Sequence, residues 1–151
     1  MTRKFKLQKV LEYRELILER EKSRMAALAI QEQEILAEIR RMVELVKAKL
    51  SELSEAQNKG ELDFILMYEK YITKLEKERR GLQEKLNRHR QDMHKQKGIT
   101  VGAYQRKSIM DKLKDKHDRE YQAFTEKAEQ KSTEDIVLTR QAGRLVKETR
   151  S

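Results

Sequence analysis

The sequence predicts an all-α protein, a long two-helix antiparallel coiled-coil hairpin. Three observations carry that prediction. An apolar stripe with alternating three- and four-residue spacing runs from Met25 to Leu53 and resumes from Ile65 to Met93. A turn-like Asn58-Lys59-Gly60 separates the two stretches. No proline occurs in 151 residues, where average usage would place about seven, so nothing forces a helix to stop.

The first arm is expected over about residues 5–56. Its early stripe is Leu7, Val10, Leu11, Ile17 and Leu18, with polar Arg14 and Glu21 interrupting the seam before Met25, Leu28, Ile35, Ile39, Met42, Val46 and Leu53. About 52 residues at about 1.5 Å each give a helix of roughly 78 Å. A single helix of that length needs a partner to bury one face, and the second arm is the most economical partner.

The turn is expected at 57–63. Asn58 and Gly60 suit the left-handed conformation that ends helices, and Asp63 suits the cap of the next one. An unbroken helix that dimerises is the alternative, because a mid-helix glycine costs only about 1 kcal/mol. Stripes of matching length on either side favour the hairpin.

The second arm is expected over about 64–131, through Ile65, Tyr68, Ile72, Leu75, Leu82, Leu86 and Met93. Two glycines and two β-branched residues at 98–102 predict a weak point or kink. Residues 132–151 form a C-terminal tail with a short apolar cluster, Ile136-Val137-Leu138. The whole chain, 1–151, reads as one elongated domain.

Register follows from the stripe. Stacking the layers of one arm against the complementary layers of the other pairs residues whose numbers add to 121: Leu53 with Tyr68, Val46 with Leu75, Ile35 with Leu86, Leu11 with Met110. The same register sets Glu32 opposite His89, a candidate polar layer of the kind that fixes register in coiled coils. Beyond about residue 117 no opposing arm remains, so the overhang is expected to fray unless a partner orders it.

Composition narrows function by exclusion. Charged residues make up 40% of the chain and aromatics 5%, the profile of a coiled coil rather than of a thick globular core. There are no cysteines, which removes disulfides, thiolate zinc sites and thiol catalysis. No apolar run reaches membrane-span length, and Met1–Phe5 lacks the apolar core of a signal peptide, so a cytoplasmic protein is expected.

His89 and His94 are five apart and do not share a helix face, which argues against a metal pair. No phosphate-binding glycine loop or nucleophile motif is present. A two-helix seam also offers no water-excluding pocket. The expectation is a non-enzyme with no cofactor, no metal and no small-molecule substrate.

The net charge of +9 concentrates in residues 74–119, where 15 Lys/Arg stand against 7 Asp/Glu. Such a strip attracts acidic partners, and a basic nucleic-acid-binding or chromosome-organising coiled coil is the rival reading. The strip has no interleaved aromatics and no nucleic-acid-binding motif, so no nucleic acid is expected as partner.

Candidate docking residues are apolar side chains beside the seam rather than in it. Near the turn these are Phe64, Met67 and Tyr71. At the other end they are Phe5, Leu7, Val10 and Leu11, which either meet a partner or pack on Met110 and Leu113.

The segment Phe5-Lys6-Leu7-Gln8-Lys9-Val10-Leu11-Glu12-Tyr13-Arg14-Glu15 closely resembles the opening of the FliJ family, coiled-coil proteins of the bacterial flagellar type III export apparatus. Asp111–Tyr121 and Glu129–Asp135 are similar to the family's basic, glutamate-studded ending. The resemblance implies a stalk like that of the rotary ATPase gamma subunit, seated in the pore of the export ATPase hexamer. It also implies a link to the cytoplasmic domain of the membrane export gate and handling of export chaperones. The implied location is the cytoplasmic face of the inner membrane at the flagellar base. The implied orientation puts both termini in the ATPase ring and the turn near Gly60 at the gate. The counterpart in virulence-type secretion is a close variant.

Overall fold

A computed structural model describes residues 1–150. Helix α1 spans Gln8–Lys59 and helix α2 spans Leu62–Arg150. There is no strand among the described residues, and the helices pack as an all-α hairpin.

The turn is tighter than expected. Gly60 takes a left-handed φ of 71°, where a side chain would be strained. Its N–H donates to the Gln57 carbonyl at 3.2 Å, and the Glu61 N–H donates to the Ala56 carbonyl at 3.1 Å. These two bonds make a Schellman closure that satisfies the last carbonyls of α1. Asn58 stays helical, so of the two candidates only glycine is used. The Ile65 N–H returns to the Glu61 carbonyl at 3.0 Å, which makes Glu61 the cap and leaves Asp63 in the first turn of α2, where its charge suits the helix dipole.

Helix α1 starts at Gln8 rather than near Phe5. Residues 5–7 form a turn closed by the Gln8 N–H on the Phe5 carbonyl at 3.1 Å. The expected weak point at 98–102 is absent, since α2 runs through it without interruption. Two helix glycines cost about 2 kcal/mol in propensity, and tertiary contacts override that here. Thr100 enters the seam and Ala103 is buried between the glycine pair and the next turn.

By packing, the described residues fall into two units, 18–103 and 1–17 with 104 onward. In the first, Leu18, Ile35, Val46 and Ala56 of α1 and Leu75, Leu86 and Ala103 of α2 are buried. In the second, Phe5 and Leu11 are buried, and α2 offers half-buried Lys107, Met110, His117 and Tyr121.

Cross-arm partners confirm the sense of the hairpin. His89 meets Leu28, Glu32 meets Arg90, Glu21 meets Gln96 and Thr100, and Arg3 meets His117. Their residue numbers add to between 117 and 122, which brackets the expected 121.

The overhang is helical over the described residues. From 126 to 150 every residue is solvent-exposed yet helical. Absence of proline and abundance of Lys, Glu, Gln and Arg favour helix even without a seam. Ser151, the last residue of the expected tail, lies outside the described residues.

Candidate docking surfaces

In the 18–103 unit the side chains just after the turn face water. Phe64 is 50% exposed, Met67 52% and Tyr71 38%. They lie beside the seam positions Ile65, Tyr68 and Ile72, which are half-buried. Three large apolar groups held in water on one helical stretch are costly to leave uncovered, although single exposed apolar residues are ordinary. Tyr71 also borders an open trough. Its volume is about 590 Å³, and Met42, Leu45 and Ala48 of α1 face Tyr71 and Leu75 of α2 across it. Sequence reading missed the α1 side of that trough, because Leu45 and Ala48 are neighbours of the stripe rather than members of it.

Lys49 closes the trough's neighbourhood electrostatically. Its Nζ sits 6.0 Å from the Tyr68 ring centroid and 5.7 Å from that of Tyr71, within cation–π range. It also donates to Glu52 at 3.1 Å. That hydrogen bond raises the lysine pKa, so the ammonium stays charged. Burial raises the pKa of the Tyr68 phenol, helped by the Glu52 carboxylate.

A second polar cluster occupies the seam itself. Glu21 is only 3% exposed. Gln96 Nε2 donates to its carboxylate at 2.7 Å, Arg24 at 3.0 Å and Arg20 at 3.4 Å. The Thr100 hydroxyl donates to the Glu21 carbonyl at 3.4 Å and to the Gln96 carbonyl at 2.9 Å. The Gln96 hydrogen bond, with the two arginine charges, lowers the Glu21 pKa against the opposing effect of burial. Sequence reading saw Glu21 as an interruption of the stripe. Gln96 and Thr100 continue the same three–four rhythm after Met93, but as polar residues they carried no hydrophobic signal.

Glu32 and His89 are both half-buried in this unit, and each takes another partner. His89 Nε2 donates to the Leu28 carbonyl at 2.6 Å, while Glu32 pairs with Arg90 at 3.5 Å. The layer thus resolves into two cross-arm bonds, one of them to backbone.

In the other unit the four N-terminal candidates divide. Leu11 is 2% exposed and Phe5 9%, so both pack inward. The Phe5 ring lies 5.7 Å from that of His117 at 41°, and His117 Nε2 donates to the Arg3 carbonyl at 3.3 Å. Leu7 and Val10 are 40% and 37% exposed and face water. Met1, Thr2, Phe5, Lys6, Leu7 and His117 surround an open hollow of about 640 Å³.

No group of three or more His, Cys, Asp or Glu residues among the described residues is placed to hold a metal ion. No helix among them is long and apolar enough to cross a membrane.

Two long helices joined by a two-residue turn, with a narrow mixed seam and apolar side chains left in water, define a helical-hairpin coiled-coil protein. The family model for the flagellar FliJ protein matches residues 3–144, and the chain belongs to that family of flagellar export-related coiled-coil proteins. Neither a comparison with curated proteins nor one with solved structures returns a match.

Proposed function

We propose that this chain is a non-enzymatic coupler of the flagellar type III export apparatus, linking the export ATPase ring to the cytoplasmic domain of the membrane export gate. Family membership supports the apparatus. The observation that carries the finer assignment is the division of the apolar side chains into a buried set and a water-facing set. Leu11, Leu75 and Leu86 hold the helices together, whereas Phe64, Met67, Tyr71, Leu7 and Val10 are free for partners.

The patch at Phe64, Met67 and Tyr71, with its adjoining trough, receives the gate. Leu7 and Val10, in the unit that carries both termini, contact the ATPase hexamer. Binding at both requires no catalytic group and no cofactor from this chain. Export chaperones are further partners on the same reading, and the protein works at the cytoplasmic face of the inner membrane.

The test is co-purification of the full chain with the purified export ATPase and with the gate's cytoplasmic domain. Retention of each is expected. Alanine at Phe64, Met67 and Tyr71 is expected to lose the gate, and alanine at Leu7 and Val10 to lose the ATPase, with melting temperatures unchanged. Retention of neither protein, with salt-dependent DNA binding in its place, would favour the basic nucleic-acid-binding alternative.

A further inference from the structure

The exposed tail of α2 keeps the rhythm of the seam after its partner helix has ended. Continuing from His117, the three–four spacing falls on Tyr121, Phe124, Ala128, Lys131, Asp135, Leu138, Ala142 and Leu145. Tyr121 is half-buried at the edge of the packed region, and every later member faces water. Phe124 is 50% exposed, Leu138 62% and Leu145 61%. Six of these eight positions are apolar or aromatic. The other two, Lys131 and Asp135, are opposite charges in the middle, and neither forms a salt bridge among the described residues.

We propose that this stripe is an interface for a second copy of the same chain, paired antiparallel through the tail helices. The occupant follows from the pattern. An antiparallel pair stacks one set of seam layers on the complementary set, as within the hairpin. The register in which residue numbers add to 266 pairs Tyr121 with Leu145, Phe124 with Ala142 and Ala128 with Leu138. It also sets Lys131 against Asp135, and the two-fold axis repeats every pair. All apolar residues then meet apolar residues, and the two seam charges neutralise each other at the centre.

Shifting the register by one heptad in either direction places Lys131 or Asp135 against alanine, leucine or phenylalanine and leaves each charge unpaired, at a desolvation cost. A parallel pair stacks lysine on lysine and aspartate on aspartate. The central pair specifies orientation in the way that polar seam residues do in coiled coils, at some cost in affinity. The pairing is a property of the chain alone and does not rest on the proposed coupling role.

The experiment is analytical ultracentrifugation of the full chain, with circular dichroism to confirm unchanged helicity. A reversible dimer with a dissociation constant between about 1 μM and about 1 mM is expected. K131D sets two carboxylates face to face at each central layer, and D135K sets two ammonium groups there. Each single reversal is expected to weaken the dimer about tenfold or more. The double variant K131D/D135K restores opposite charges only in the antiparallel arrangement, and it is expected to recover the dimer. A wild-type chain that remains monomeric at about 1 mM overturns the proposal. So does a dimer that the single reversals leave unchanged, or one that the double reversal does not restore.

Discussion

Replacing Leu86 with alanine separates seam from surface most directly. Leu86 is 2% exposed and sits in the 18–103 unit with Leu75 and Ile35 among the buried residues. Complete burial of a leucine side chain contributes about 1.5–3 kcal/mol. Truncation to alanine in a fully enclosed core costs about 2–5 kcal/mol, with the upper values reached where the cavity cannot collapse. A two-helix seam is open on both flanks. Long neighbours such as Lys85 and Glu38 border the same level of the seam and are free to lean over the gap, which places the cost at the lower end, about 2–3 kcal/mol. Alanine's better helix propensity returns only a few tenths of a kcal/mol. Urea unfolding followed by circular dichroism reads the change as a lower midpoint with little change in slope. With an unfolding entropy of about 2.1 cal/mol/K per residue, the melting temperature should fall by about 6–10 °C. Phe64→Ala, measured beside it, removes a larger side chain that is half in water and should cost under about 0.5 kcal/mol. Equal losses for the two variants would refute the assignment of Leu86 to the seam and of Phe64 to a docking surface.

Further outcomes follow from the same geometry. Gly60→Ala forces a side chain into the left-handed region and should cost about 1–2 kcal/mol in the same unfolding assay, whereas Gly98→Ala, in open helix, should stabilise by up to about 1 kcal/mol. Glu21 has a folded pKa below its unfolded one, so the stability it contributes is complete above the unfolded value of about 4.3 and is lost as pH falls through the folded pKa. A pH series of melting temperatures for Glu21→Gln should therefore be flatter than wild type below about pH 4.3, and identical acid slopes would contradict the role given to the carboxylate. Lys49→Met removes the charge above the Tyr68 and Tyr71 rings and frees Glu52, and near-ultraviolet circular dichroism should register a changed tyrosine environment while helicity is kept.

Much of the fold was legible because a two-helix hairpin is specified by periodicity and a stop signal. The stripe fixed which face of each helix is inside, and Gly60 marked the turn because glycine takes a left-handed φ without the Cβ strain that other residues meet there. What failed to show was the stretch of seam between Met93 and Met110. There the seam positions are half-buried Gln96, Thr100 and Lys107 and buried Ala103, and a hydrophobicity reading gives these polar and small residues no weight. The same blindness produced the expected kink at 98–102. Local propensity disfavours helix at those glycines, and the Glu21–Gln96–Thr100 contacts that outweigh it join residues more than 70 positions apart in sequence. Of the docking candidates, Phe64, Met67 and Tyr71 could be placed outside the seam by angle alone. Phe5 could not be placed, because it precedes α1 and its burial depends on a chain reversal that sets its ring against His117.

The seam's economy bears on what the molecule can do. Among the described residues only nine apolar side chains are buried, and several layers between them are filled by Glu21, Glu32, Lys49, Arg79, His89 and Gln96. Polar layers contribute little net stability, since desolvation offsets most of what their bonds return. They do penalise slippage, because a shift of one heptad would strand Glu21 away from Gln96 and Thr100. Adhesion is thus kept modest while alignment is enforced, and large apolar side chains such as Phe64 and Leu138 stay on the surface where partners can reach them. A helical hairpin built in this way loses little by presenting half of its apolar inventory to water, and each water-facing stripe can carry its own pattern of charge to select what covers it.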